Sequence, residues 1–371
     1  MMDIRLFSEI LSIDSTSGKE GELVDFLYER LRTDRNTVVR FDDQQNLLFS
    51  WGEPKVVFCT HLDTVPPYMP PVFEDDKVCG RGTCDAKGQI FAMWEACKAL
   101  EAKGYEGFGL LLLTGEETGS YGAKAFREQH PGAEWVIVGE PTDNCMASAA
   151  KGTKAFEVTF EGKAFHSGYP EYGVSAIELF NDFVNALRSI RFPMDDVLGE
   201  TTWNIGKLSS DNPQNILSEK LTCRVYFRTT FESDEMVCNV MKNMAGEDAR
   251  LRFGRPRVQD GSDIVAKDVA PWQRAMTVVA LGGDTPSKYE VFDDFPSKPV
   301  AFGSDAPQLT NFKRKILCGP GSILVAHRPE EHILMSDLET AISNYISLFE
   351  TITSTNKKYH TCTNKKSGMS Y

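Results

Sequence analysis

Residues 109 to 117, Gly-Leu-Leu-Leu-Leu-Thr-Gly-Glu-Glu, place an unbroken apolar run directly before a pair of acids. A short run of this kind, bounded by glycine, is the pattern of a strand buried on both faces. Two other runs end in the same way. Val-Val-Phe-Cys-Thr (56 to 60) continues into His61, Leu62 and Asp63, and Trp-Val-Ile-Val-Gly (135 to 139) continues into Glu140 and Pro141. Lys-Ile-Leu-Cys-Gly (315 to 319) is a fourth run of strand type. Between such runs, apolar residues recur at three and four from Leu23 to Leu31 and through Ile90, Met93, Trp94, Cys97 and Leu100, the period of amphipathic helices, with Gly104 as a stop. Helices that alternate with buried strands predict an α/β domain with a mostly parallel central sheet.

The middle of the chain has a different rhythm. Ala-Phe-Glu-Val-Thr-Phe-Glu-Gly (155 to 162) and Leu-Thr-Cys-Arg-Val-Tyr-Phe-Arg-Thr (221 to 229) alternate apolar with polar residues, as strands with one wet face do. Between them Val174 to Ile190 has helical period and 201 to 210 reads as a strand; a helix over 234 to 245 and a strand over 249 to 253 follow. The order β-α-β-β-α-β predicts a ferredoxin-like α+β domain over 155 to 264, inserted into a catalytic domain made of 1 to 154 and 265 to 355. The α/β pattern is expected to resume near Pro271, with a closing helix from Ser336, its N-cap, to Phe349. Residues 356 to 371 are expected to be a disordered tail.

The 371 residues suffice for two cores. A net charge of -13 opposes nucleic-acid binding, which needs clustered lysine and arginine, and directs attention to small molecules. The N-terminal apolar residues are broken by Asp3, Arg5 and Glu9, so no secretion signal is read there. No run approaches the ~20 apolar residues that span a bilayer. Nine cysteines without close pairs fit reduced thiols in a cytoplasmic setting.

In an open α/β sheet the C-terminal ends of the strands share one crevice, so His61, Asp63, Glu116, Glu117 and Glu140 are expected to converge there. Asp85, in Cys-Gly-Arg-Gly-Thr-Cys-Asp-Ala-Lys-Gly (79 to 88), precedes the helix that starts near Lys87 and belongs to the same rim. So many carboxylates cannot all stay ionised in a crevice, because each raises the pKa of the next. Divalent cations resolve that conflict. Imidazole and carboxylate ligands without thiolate are compatible with Zn2+, and a shared carboxylate can hold two ions ~3.5 to 4 Å apart. Only six histidines exist; His327, after the last buried strand, is the candidate second imidazole, with His332 as its competitor.

The stretches Thr-His-Leu-Asp-Thr-Val-Pro, Gly-Arg-Gly-Thr-Cys-Asp-Ala-Lys-Gly, Gly-Glu-Glu-Thr-Gly-Ser, Gly-Glu-Pro-Thr, Lys-Ala-Phe-His-Ser-Gly-Tyr-Pro-Glu-Tyr-Gly-Val-Ser-Ala-Ile and the late Gly-Pro-Gly followed by Ala-His resemble motifs of the acetylornithine deacetylase and succinyl-diaminopimelate desuccinylase family of dinuclear zinc metallopeptidases, over about residues 1 to 350. That resemblance implies a zinc-peptidase-like catalytic domain with a lid and dimerisation domain. It implies one zinc on His61, Asp85 and Glu140 and another on Glu117, Asp85 and His327, with Co2+ or Mn2+ as possible substitutes. Asp63 would accept a hydrogen bond from the far nitrogen of His61. Glu116 would be the general base, and His166 would reach the oxyanion, in the family from a neighbouring subunit of a homodimer. Arg228, Gly303 and Ser304 stand where the family holds the substrate carboxylate, with Asn215 and Lys151 as weaker candidates.

The implied activity is hydrolysis of an N-acyl amino acid, N-acetylornithine first, as in arginine biosynthesis. Rivals are a desuccinylase, a dipeptidase or carboxypeptidase, another deacylase, and a metal-binding scaffold without catalysis. Individual residues also have plainer readings. Arg228 could make a cross-strand ion pair, His166 could cap a turn with Ser167, and Cys84 could be packing. Glycines 80, 82 and 88 lack the spacing of a phosphate loop and read as turn residues.

Overall fold

The structure is a computed structural model that describes residues 2–41, 45–244 and 276–363, excepting the side chains of 355–363. The chain divides into two compact units. One comprises Met1–Ser148, Tyr289–Lys298 and Ser304–Tyr371; the other comprises Ala149–Lys288 and Pro299–Gly303.

The first unit opens with α1 (Ile4–Ser12), whose N-cap Asp3 accepts the Leu6 amide at 3.1 Å. Next come α2 (Gly21–Arg30) and the strands β1 (Thr37–Phe41), β2 (Asn46–Trp51) and β3 (Val56–His61). A short hairpin follows, β4 (Val72–Phe73) with β5 (Lys77–Cys79), then α3 (Lys87–Ala102). Gly104 closes α3 with φ +77°, its amide on the Glu101 carbonyl at 2.9 Å, the left-handed ending that glycine tolerates best. After β6 (Phe108–Leu113), α4 (Tyr121–Gln129) and β7 (Trp135–Val138), the chain passes through β8 (Met146–Ala150) into the second unit.

The second unit contains β9 (Gly152–Glu161), α5 (Ala176–Ser189), β10 (Thr202–Ser209), β11 (Lys220–Thr229), α6 (Asp234–Met244), β12 (Met276–Gly282) and β13 (Ser287–Lys288). Beyond β14 (Ser297–Val300), the first unit resumes with β15 (Arg314–Leu317), β16 (His332–Leu334) and α7 (Met335–Thr363).

The central sheet of the first unit has the order β1-β2-β6-β3-β7-β15. β6, β3, β7 and β15 run parallel, while β1 and β2 are antiparallel additions at one side. Every residue of β3, β6 and β7 is buried, which accounts for their continuous apolar reading. The core unites Phe7, Ile10, Phe58, Phe91, Trp94, Leu110, Ile137, Tyr345 and Phe349, with Phe7 stacked on Phe91 at 4.7 Å between ring centroids. Among the described residues no helix is long and apolar enough to cross a membrane.

The second unit carries the four-stranded antiparallel sheet β10-β11-β9-β12, the strand order of a ferredoxin-like fold. Its core joins Phe156, Val158, Phe160, Phe183, Leu187, Val225, Phe227, Val237 and Met241. The strand expected over 249 to 253 lies outside the described residues. The strand that completes the sheet is β12, paired with β9 from Met276↔Phe160 onward. That pairing carries the unit to Lys288 rather than 264, and the unit begins at Ala149 rather than 155.

Two further expectations are corrected. Ser336 lies inside α7 and does not cap it, because β16 runs straight into the helix and Met335 donates its amide to the Asp76 carbonyl at 2.9 Å. α7 itself extends to Thr363, into the stretch expected to be disordered from 356; residues 364 to 371 lie outside the described residues.

Asp195 supplies a buried polar anchor for the second unit. Its carboxylate accepts the amides of Val197 and Leu198 at 2.9 Å each and that of Glu232 at 3.4 Å. Burial opposes the charge, but these amides hold the carboxyl below its usual pKa. A depressed folded pKa gives stability that is present above the unfolded value of ~3.9 and fades as pH falls through the lower folded value. Asp195→Ala is therefore expected to cost about 1–3 kcal/mol at pH 7. Thermal unfolding from pH 7 down to pH 3 should show the gap to wild type narrowing below pH ~4.

Candidate metal centre

Three parallel strands deliver the acids. β3 ends on His61, which pairs in register with Leu113 at the end of β6, and Cys59 of β3 pairs with Val138 at the end of β7. Two residues beyond β3 stands Asp63, three and four beyond β6 stand Glu116 and Glu117, and two beyond β7 stands Glu140. Asp85 sits two residues before α3. The shared crevice expected of an open parallel sheet is thereby formed.

Asp85 is the hinge of the arrangement. One carboxylate oxygen, Oδ1, is 3.0 Å from Nε2 of His61, and the other, Oδ2, is 3.2 Å from Nε2 of His327. His327 also lies 2.8 Å from Oε1 of Glu117. Two sets of ligand atoms result, His61 with Asp85 and Glu140, and Asp85 with Glu117 and His327, each with its atoms within 4.8 Å of one another. Nδ1 of His61 donates to the Asp63 carbonyl at 2.8 Å, which turns Nε2 toward Asp85.

Oδ1 of the Asp63 carboxylate stands 3.4 Å from the same Nδ1, so His61 meets both the carbonyl and the carboxylate of Asp63. The Asp63 carboxylate has further partners. It accepts the Glu116 amide at 3.0 Å, the Glu117 amide at 3.2 Å and the Ser17 hydroxyl at 2.8 Å, and so orients the turn that bears both glutamates.

The electrostatics expose the strain of assembling these groups. Burial, joined by the charges of Asp85 and Asp305, pushes Glu116 and Glu140 well above the usual carboxylate range despite the opposing pull of His61. Burial also works to raise Asp85, but hydrogen bonds from His327 and His61 hold it well below that range. Hydrogen bonds to Asp85 and Glu117 raise His327 to about 10, and those to Asp63 and Asp85 raise His61 strongly in spite of its burial. The two imidazoles thus serve as the cations of the cluster. A divalent ion among each set of ligand atoms would meet the same demand, and the oxygen and imidazole donors suit one.

Residues 57–351 match the model of peptidase family M20/M25/M40. The chain belongs to this family. A peptidase M20 domain-containing protein of Schizosaccharomyces pombe is 34% identical over 360 residues, covering 92% of this chain and 82% of its own. A protein of Aspergillus terreus named Probable carboxypeptidase is 30% identical over 386 residues, covering 92% and 84%. The solved structure of a tripeptidase from Staphylococcus aureus shares the fold with a TM-score of 0.73 at 19% identity, covering 92% of this chain and 95% of that one. As an M20 chain this protein is a metal-dependent hydrolase of amide bonds.

The other residues singled out by the sequence resemblance are placed as follows. Ser304 lies in the first unit, 4% exposed, its hydroxyl accepting the Ala306 amide at 3.3 Å. The remaining five belong to the second unit. There His166 is exposed and its Nδ1 accepts the Gly168 amide at 3.0 Å, a turn closed within the loop itself. The Asn215 carbonyl receives the Ser167 amide at 2.9 Å, so those two loops are brought side by side.

Arg228, half-buried on the wet face of β11, lies over the Tyr226 ring at 5.1 Å, and a Cβ placed on Gly303 would stand 3.7 Å from its Nη1. Lys151 donates to the Glu200 carbonyl; burial chiefly, and then the neighbouring charge of Arg228, lowers its pKa. Lys151, Arg228 and Gly303 therefore form one cationic corner. Among the described residues Arg228 makes no ion pair, and the cross-strand pair on this sheet is Arg224 with Glu157 at 3.4 Å.

Two residues beside the cluster escaped the sequence reading. Asp305 is 2% exposed and its charge acts on Glu116, Glu140 and Cys59; an acid directly after the Gly303-Ser304 pair was the available signal. Ser17 had no signal, since only folding brings the N-terminal loop to Asp63. Asp63→Ala, which unpairs the two glutamate amides, is expected to cost the metal-free chain about 3 kcal/mol in urea unfolding, and Ser17→Ala about 1 kcal/mol.

Proposed function

We propose that this M20 chain hydrolyses the amide of an N-acyl amino acid at a pair of divalent cations, one held by His61, Asp85 and Glu140, the other by Glu117, Asp85 and His327. The observation that carries this reading is the division of the Asp85 carboxylate between two imidazoles. Zn2+ suits the donor set, with Co2+ and Mn2+ as substitutes. When bound, the pair lowers the pKa of the attacking water and steadies negative charge on the amide oxygen.

Glu116 acts as general base. It takes the proton from the water and returns it to the departing amine nitrogen. Burial and acidic neighbours raise its proton affinity, which favours the first half of that task. Asp63 keeps Glu116 in place through its amide. His166 is assigned to the oxyanion, in a homodimer built through the inserted unit. Arg228, with Gly303, Ser304, Lys151 and Asn215, is assigned to the substrate carboxylate, for which a planar guanidinium is the best single partner.

N-acetylornithine is the first substrate to test, on the strength of the motifs around His166. A second reading, release of the C-terminal residue of a short peptide, is favoured by the names of the relatives, which speak of peptidase and carboxypeptidase. Both need a free carboxylate beside the scissile amide, and turnover of N-acetylornithine, N-succinylornithine and a dipeptide series separates them. Glu116→Ala is expected to lower kcat about 10²–10⁴-fold while metal content by plasma mass spectrometry stays at two per chain. Retention of activity would remove Glu116 from the role of base. His327→Ala should reduce the content from two ions to one.

A further inference from the structure

Glu331 has no part in the chemistry above, yet it is fully buried at 0% exposure. One oxygen, Oε1, accepts the amides of Gly82 at 2.8 Å and of Cys84 and Asp85 at 3.3 Å each. The other, Oε2, is paired with Nη1 of Arg81, which is itself 3% exposed. Arg81 is anchored in turn, its Nε on the Pro67 carbonyl at 3.3 Å and its amide on the Met69 carbonyl at 3.1 Å. The Gly80 amide closes the set on the Glu331 carbonyl at 2.9 Å.

The segment gathered by these bonds, 80 to 85, ends on the residue shared by the two ligand sets. Its course also depends on Gly82, whose φ of +83° and a 2.9 Å approach of Thr64 Cγ2 to a would-be Cβ disfavour a side chain. Glu331 follows His327 by only four residues, so one short stretch supplies an imidazole and grips the loop that supplies its bridging carboxylate.

We infer that Glu331, neutralised by Arg81, is a positioning residue that sets the Asp85 carboxylate between the two ligand sets before any cation arrives. A buried carboxylate is suited to this because it can accept several amides at once, and its pairing with Arg81 avoids adding net negative charge behind Asp85. The inference rests on the metal reading of the preceding section.

The test is Zn2+ binding to metal-free wild type, Glu331→Gln and Arg81→Lys, by competition with a chromophoric chelator, on chains shown by circular dichroism to be folded. The wild type is expected to take two ions, and Glu331→Gln to bind at least one of them about 10-fold or more weakly, the range for residues that orient metal ligands. Arg81→Lys, which keeps charge but loses the fork, should weaken binding less.

A second measurement needs no variant. In the metal-free wild type the amides of Gly82, Cys84 and Asp85 should already be protected from hydrogen exchange. Zn2+ affinity in folded Glu331→Gln within 2-fold of wild type, or free exchange of those amides, overturns the inference alone. A wild type that binds no Zn2+ overturns both it and the metal reading.

Discussion

The organising constraint of this molecule is the repulsion among carboxylates brought to one crevice. Asp85, Glu116, Glu117, Glu140 and Asp305 come from four separate segments, and burial raises the cost of their charges. Positive charge must enter among them, and the two imidazoles flanking Asp85 mark where it does. The parallel strands β3, β6 and β7 exist in this arrangement to bring the acids together, and their wholly apolar bodies supply the burial that makes the cluster so demanding.

The supporting groups follow a common physical rule. Two loops that present a ligand or base have their backbone amides collected by a carboxylate that stands behind them. Asp63 collects those of Glu116 and Glu117; Glu331 collects those of Gly82, Cys84 and Asp85. A buried carboxylate that accepts backbone amides satisfies its own desolvation and stiffens the turn at once, which is how a loop attains the precision of a regular element. The orientation of the His61 ring is fixed by a backbone carbonyl in the same way.

The second unit is built on different physics. Its sheet keeps one face apolar and one wet, so Arg228 can lie half-buried on β11, beside Tyr226, without the neutralising partner that a core position would require. Lys151 and Gly303 are contributed to the same corner by chain segments at either end of the unit. This corner concentrates positive charge in a chain that carries net charge -13.

Much of this was legible from the chain alone, because hydrophobic periodicity reports burial residue by residue. The buried strands before His61, Glu116 and Glu140, the helices between them and the alternating strands β9 and β11 could all be read. What could not be read depends on partners distant in sequence. The last strand of the inserted unit is β12, at 276 to 282, because β9 offers it an edge; no local pattern distinguishes a strand that returns to one sheet from a strand that begins another.

Ser17 on Asp63, Asp305 near the glutamates and Glu331 on the Asp85 loop are likewise products of folding, each joining positions 46 or more residues apart or acting through charge across the crevice. The sequence by itself determined which segments would be buried and which acids would stand at their ends. Tertiary structure alone decided which carboxylates face the imidazoles and which turn back to hold the backbone, since that choice rests on hydrogen-bond geometry between segments that have no local signal in common.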